Sequence, residues 1–191
     1  LLLLIILSYL IGSISFGMLI TKALKLGNLR SIGSGNIGAT NVLRTGSKKA
    51  AIMTLILDAG KGALVVSIML TYTNTFLASI LGVAVFLGHL FPLWQKFKGG
   101  KGVATFIGIL LVFSFQTGLL TCFVWLLVAI IFKKSSLSAL ISILITPFWL
   151  WFFNEPYFIL PSIFMALLTF IKHVDNIKRL FKGIEPNIKI N

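Results

Sequence analysis

Acidic residues are scarce in this sequence. Four Asp and Glu stand against seventeen Lys and Arg in 191 positions, a formal net charge of +13. Charged residues of both signs make up 11% of the chain, where soluble domains carry about a quarter. There is one cysteine, Cys122, inside an apolar run. An intramolecular disulfide is therefore excluded, and no Cys/His cluster has metal-ligand spacing. Cys122 reads as a small buried or lipid-facing hydrophobe. The few carboxylates do not cluster either, so neither a metal nor another cofactor is expected. The basic residues lie between apolar runs and not on a stripe with aromatic platforms, which argues against nucleic acid as a partner. The sequence opens on Leu1 with no basic segment before its first apolar run and no small-residue cleavage site after it. That pattern predicts a retained span preceded by a few further residues, not a signal peptide.

What is abundant is apolar sequence. Hydrophobic residues make up 58% and the mean hydropathy is +1.03, so several bilayer spans are expected. Runs of about 20 apolar residues suffice for a span, and residues 1–20, 50–71, 76–94, 137–153 and 158–171 supply five. Residues 103–132 are apolar throughout, too long for one ordinary span and short for two. Lys and Arg cluster at 22–49, 96–101, 133–134 and 172–189, whereas the turns at 72–75 and 154–156 have none. The positive-inside rule puts the four basic segments in the cytoplasm and the N-terminus outside. Lys101 and Lys133 then lie on one side, so an even number of crossings separates them. Two short helices forming a hairpin, broken near Gln116-Thr117-Gly118, satisfy this; the alternative is one long tilted span, which would put Lys133 and Lys134 outside. The expected fold is an all-α integral membrane protein with seven transmembrane helices, two of them short, and a cytoplasmic C-terminus. With no repeat and no linker, residues 1–191 form one domain.

Three polar segments fall on the predicted cytoplasmic side. The first, Gly33 to Arg44, offers neutral donors on Ser34, Asn36, Thr40 and Asn41 and a guanidinium suited to phosphate oxygens on Arg44. It matches G-x-G-x-x-G, with Asp58 twenty residues after Gly38. The dinucleotide reading fails because that fingerprint needs a βαβ unit. In the second segment, Gly99-Gly100-Lys101-Gly102 leads into an apolar helix at Val103. Backbone N–H groups at a helix start favour an anion. The Walker A pattern is absent, so nucleotide hydrolysis is unsupported. The alternative for Lys98 and Lys101 is topological anchoring. His89 reads as a hydrogen-bonded structural histidine. The third segment places His173, Asn176 and Ile177 on one helical face at i, i+3 and i+4; a charged surface helix is the bland alternative. Asp58 and Lys61, at i, i+3 inside the second span, read as a buried pair with each other or with the first segment. Ser135, Ser136 and Ser138 read as helix caps.

These segments, GSGNIGATNVLR, LDAGKG, GHLFPLWQKFKGGKGVAT and HVDNIKRLFKGIEP, together resemble the acyl-phosphate:glycerol-3-phosphate acyltransferase (PlsY) family, in order and over essentially the whole chain. The resemblance implies seven helices, an outside N-terminus and cytoplasmic motifs in a bacterial cell membrane. It implies transfer of an acyl group from acyl phosphate to glycerol 3-phosphate, giving 1-acylglycerol 3-phosphate and inorganic phosphate, the first acylation of phospholipid synthesis. By position it assigns Ser34, Arg44, Lys101, His173 and Asn176 to the glycerol-phosphate site. Gly99, Gly100 and Gly102, with Asn36 and Asn41, are assigned to the acyl phosphate. A His and Asp separated by four residues, the mark of the other large glycerolipid acyltransferase class, is absent: Trp94 and Lys178 stand at that offset from His89 and His173.

An acyl phosphate has a good leaving group and needs no covalent enzyme nucleophile. The base is either His173, whose side-chain type titrates nearest neutrality, or a substrate phosphate oxygen, with His173 then binding and orienting. The second is preferred. The expected partners are the two substrates and membrane lipid, and the protein is expected to act as a monomer. A small-anion transporter is the competing class. It would be expected to show inverted repeats and broken helices near the midplane, and no repeat is present.

Overall fold

The structure is a computed structural model, and it describes residues 1–188. Among these there are ten α-helices, two short 3-10 turns and no strand. The chain divides into two compact units, residues 1–109 and 110–191.

The first unit contains α1 (Leu2–Gly12), α2 (Phe16–Ala23), α3 (Ala39–Leu43), α4 (Lys48–Tyr72), α5 (Thr75–Leu90) and most of α6 (Val103–Phe113). Side-chain caps set two of the starts: Ser47 accepts from the Ala50 N–H at 3.2 Å, and Asn74 accepts from the Leu77 N–H at 2.9 Å. The helices approach closely through small residues. A Cβ on Gly12 would lie 2.0 Å from the Val85 carbonyl oxygen, and one on Gly88 would lie 2.1 Å from that of Tyr9. Any side chain larger than glycine would push α1 and α5 apart. The apolar run at residues 1–20, expected as one span, is built from two helices that together are long and apolar enough for one bent span, with a 40° bend at 13–15. The Ser13 hydroxyl donates back to the Tyr9 carbonyl, a local bond that competes with continuation of the helix.

The second unit contains the end of α6, then α7 (Phe115–Phe132), α8 (Ser135–Phe152), α9 (Pro156–Lys172) and α10 (Val174–Phe181). The expected break in the long apolar stretch is present, but at Ser114 and not at 116–118. Ser114 caps α7, accepting from the Thr117 N–H at 3.4 Å and donating to its hydroxyl at 2.9 Å. Only α6 is short, with 11 residues; α7 has 18, against the expectation of two short helices. Gly118 of α7 lies against Leu111 of α6. Phe113 stacks on Phe158 at 4.2 Å, and the Thr121 and Thr146 hydroxyls meet at 3.2 Å between α7 and α8.

Among the described residues, four helical segments are long and apolar enough to cross a membrane: α4, α5 with the turn running to Gln95, α7 and α8. There are six if α1 with α2, and α9 with α10, each count as one bent span. Their flanks suit lipid: on α7, Phe123 and Ile130 are 61% and 65% exposed, which water would penalise and a bilayer does not.

Candidate functional site

In the first unit, the segment after α2 is built on its own small core of Leu29, Ile37, Val42 and Ala50, all essentially inaccessible. Asn41 organises it. Its Oδ1 accepts from the Ser34 N–H at 3.1 Å and from Arg44 Nη1 at 3.2 Å; its Nδ2 donates to the Leu29 carbonyl at 2.9 Å and the Asn36 carbonyl at 2.7 Å. Two donors and two acceptor sites exhaust the amide. Asn41 therefore shapes the loop that carries Ser34 and Arg44. Gly33, at φ +54, gives the room: a Cβ there would meet Arg44 and the Asn41 oxygen at 2.5–2.8 Å. Ser34, Asn36 and Arg44 are half-buried on this frame.

The second segment folds back onto the end of α5. Gly100 N–H donates to the His89 carbonyl at 3.0 Å, Gly99 N–H to the Leu90 carbonyl at 3.2 Å, and Phe97 N–H to the Pro92 carbonyl at 3.0 Å. The N–H groups of Gly99 and Gly100 are thus occupied within the turn. Their glycine character serves close packing: a Cβ on Gly99 would lie 2.2 Å from the His89 carbonyl oxygen, and one on Gly100 2.2 Å from His89 Nε2. The first bond of α6 runs from the Phe106 N–H to the Gly102 carbonyl at 2.8 Å. The N–H groups the helix itself leaves without an intrahelical acceptor are those of the residues just before, Val103 to Thr105. Lys101 enters directly ahead of them and is half-buried.

Arg30, which sequence reasoning passed over, joins the two segments. Its guanidinium donates to the Lys98 carbonyl, to Gln95 Oε1 at 3.2 Å and to the Gly35 carbonyl at 3.4 Å. The buried pair in α4 is also more than a pair. Lys61 Nζ lies 3.2 Å from Asp58 Oδ1 and bonds the Ile14 carbonyl and the His89 ring, not the first segment.

The second unit holds His173 and Asn176, both buried, at the 62° bend between α9 and α10. His173 Nδ1 is 2.8 Å from the Thr169 carbonyl oxygen. A carbonyl only accepts, so Nδ1 carries a proton and Nε2 is the nitrogen whose protonation can change. Asn176 Nδ2 donates to Glu185 Oε1 at 2.6 Å, which turns the amide oxygen away from Glu185. Glu185 gathers further bonds from Ser136 Oγ at 2.7 Å and Arg179 Nε at 2.7 Å. Burial opposes its charge, but the hydrogen bonds from Asn176, Ser136 and Arg179 and the Arg179 charge outweigh it and hold the carboxyl below its ordinary value. Ser136, expected as a cap, gives its hydroxyl to Glu185 instead. Lys134 donates to the Glu185 carbonyl and to Asn187 Oδ1.

The family model described as glycerol-3-phosphate acyltransferase matches residues 2–183. The glycerol-3-phosphate acyltransferase of Dinoroseobacter shibae is 53% identical over 181 residues, 95% of this chain and 89% of that protein. That of Bartonella henselae is 50% identical over 192 residues, 97% and 90% of the two chains. A crystal structure of PlsY, described as an integral membrane glycerol 3-phosphate acyltransferase in its glycerol 3-phosphate form, superposes with a TM-score of 0.94 at 35% identity. The match covers 98% of this chain and 95% of that one. Its lysophosphatidic acid form gives 0.91 at 34% identity, covering 97% and 94%.

Proposed function

The chain belongs to the glycerol-3-phosphate acyltransferase family, and on that premise we propose that it moves a fatty acyl group from acyl phosphate to the 1-hydroxyl of sn-glycerol 3-phosphate. The products are 1-acylglycerol 3-phosphate and inorganic phosphate. The observation that carries this is the match over nearly the full chain to a protein whose solved forms hold glycerol 3-phosphate and lysophosphatidic acid.

The transfer joins two anions, each near −1.5 to −2 at neutral pH by analogy with phosphate monoesters. Their repulsion must be offset by fixed cations and N–H dipoles. Arg44, oriented by Asn41, and Lys101, at the start of α6, are the cations proposed for this. Ser34 and Asn36 add neutral groups beside Arg44. Gly99, Gly100 and Gly102 shape the turn that cradles the acyl phosphate, joined by the N–H groups at the α6 start, with Asn41 framing the loop opposite. The roles of His173 and Asn176 rest on the resemblance. The substrate 1-hydroxyl oxygen attacks the acyl carbon, the carbonyl carbon–phosphate oxygen bond breaks, and the hydroxyl proton leaves with the phosphate. A phosphate oxygen of the donor takes that proton, while His173 binds and orients; the alternative gives it to His173 Nε2.

Seven crossings with the N-terminus outside and the site facing the cytoplasm belong to the same proposal. With α1 and α2 counted as one crossing, the six helices α4 to α9 bring the number to seven. The turns at 72–75 and 153–156 then share the side that lacks Lys and Arg. In this scheme α6, rising roughly 16 Å at 1.5 Å per residue, spans only part of a hydrocarbon core of about 30 Å. We expect the monomer to be the working unit. Purified protein given palmitoyl phosphate should release phosphate only with glycerol 3-phosphate present, with lysophosphatidic acid in equal amount. Absence of that product from folded protein overturns the reading.

A further inference from the structure

Three buried polar side chains in the first unit have no part in the chemistry above: Asp58, Lys61 and His89, exposed by 2%, 4% and 4%. Ionisable groups at membrane depth are costly and are kept where they are paired. Lys61 Nζ lies 3.2 Å from Asp58 Oδ1, one turn earlier on α4, and donates to the Ile14 carbonyl at 2.7 Å. Its third neighbour is His89 Nδ1 on α5, at 2.9 Å. Asp58 Oδ1 is 3.7 Å from the same nitrogen, too far for a hydrogen bond. An ammonium only donates, so Nδ1 accepts, and the proton of the neutral ring belongs on Nε2.

The Nε2 edge faces the turn that follows α5. A Cβ on Gly100 would lie 2.2 Å from Nε2 and 2.9 Å from Cε1. The backbone of His89 also receives the Gly100 N–H. Beyond the turn, Thr105 Oγ1 donates to the Asp58 carbonyl at 2.9 Å, and Gly62 leaves room for the Thr105 carbonyl. One turn of α4, residues 58–62, therefore grips the chain on both sides of Gly99-Gly100-Lys101-Gly102: through His89 before it and through Thr105 after it. Packing alone would need no ammonium at Nδ1. An ammonium there fixes the ring plane and the tautomer together.

Resting on the family reading above, we propose that His89, held in one orientation and one tautomer by Lys61 and Asp58, is a positioning residue for the turn that takes a substrate phosphate. The test is a double-mutant cycle, read as KM and kcat for palmitoyl phosphate and for glycerol 3-phosphate. His89→Asn keeps an acceptor for Lys61 and withdraws the ring edge from Gly100; Gly100→Ala places a methyl where that edge was. Each single variant should raise one KM about tenfold with kcat held within about threefold, and the double variant should recover part of the loss, as contacting residues do. If His89→Asn is not recovered as monodisperse protein, Asp58→Asn/Lys61→Met removes both buried charges together, a change buried pairs often tolerate, and the same rise in KM is expected. Unchanged KM values in a folded variant, loss confined to kcat, or strict additivity in the cycle overturn the inference. Wild-type protein assayed in parallel separates the two claims. If it makes no lysophosphatidic acid, the family reading fails; if it is active while folded His89→Asn matches it, only the positioning role fails.

Discussion

The guanidinium of Arg30 donates to the backbone carbonyl of Lys98, 68 residues further along the chain. Other bonds from the same group reach Gln95 and Gly35. One exposed side chain thus ties the loop carrying Ser34 and Arg44 to the turn carrying Lys101.

Arg30→Ala should raise KM for the phosphorylated substrates roughly three- to tenfold, the loss of one or two charge-assisted hydrogen bonds. Arg30→Lys should recover little, since a single ammonium does not reproduce a planar fork. Steady-state kinetics on both variants check this; full recovery by lysine would show that charge alone matters.

Arg44→Ala and Lys101→Ala should each lower turnover by about a hundredfold or more, the scale of losing a charge-stabilising group, while the protein stays folded. Asn41→Ala should behave differently, because it removes four bonds that shape the loop. Its thermal midpoint should fall along with its activity. Thermal unfolding in detergent beside the phosphate-release assay separates the two patterns.

Gly102 sits at φ +87 with a Cβ position 2.2 Å from Phe86 Cε2. Gly102→Ala should cost roughly 1–3 kcal/mol from strain and overpacking. Phe86→Leu in the same chain should relieve the contact but not the backbone strain, so the midpoint should recover only in part.

The Glu185 carboxyl is held below its ordinary value, which sets a sign for acid sensitivity. A group depressed in the folded chain stabilises above its unfolded value, about 4.3. That contribution is lost as pH falls through the lower folded value. Wild-type protein should therefore be more stable than Glu185→Gln above about pH 5, and the difference should shrink below about pH 4. Midpoints measured across that range, with a constant difference at all pH values, would refute the link to ionisation.

Hydrophobic runs and turns free of Lys and Arg made α4, α5, α8 and α9 readable within a few residues of their ends, because both signals are local in sequence. The bend at Ser13–Ser15 escaped notice because Ser13, Ile14 and Ser15 interrupt an apolar run without polarity enough to mark a turn. Parity of the flanking charges required a break between Lys101 and Lys133, but the polar Gln116-Thr117-Gly118 drew it two to four residues too late; the capping residue is Ser114. The commitments inside the polar segments were hidden for another reason. Asn41 as a loop frame, Glu185 as the partner of Asn176 and Ser136, and Lys61 on His89 are pairings between distant positions, and one sequence does not display them. Arg30 had a faint cue, three residues ahead of Gly33, but it looked like any other basic residue in a loop.

The two bonds tying Gly99 and Gly100 to the last carbonyls of α5 have a thermodynamic consequence. They make the turn an extension of a helix end, so its backbone entropy is surrendered during folding and not when a ligand arrives. Ordering a free segment would otherwise subtract from every association event. On the proposed reading, a turn built this way would meet a substrate phosphate with its shape already set, so less of the binding free energy would go to ordering it.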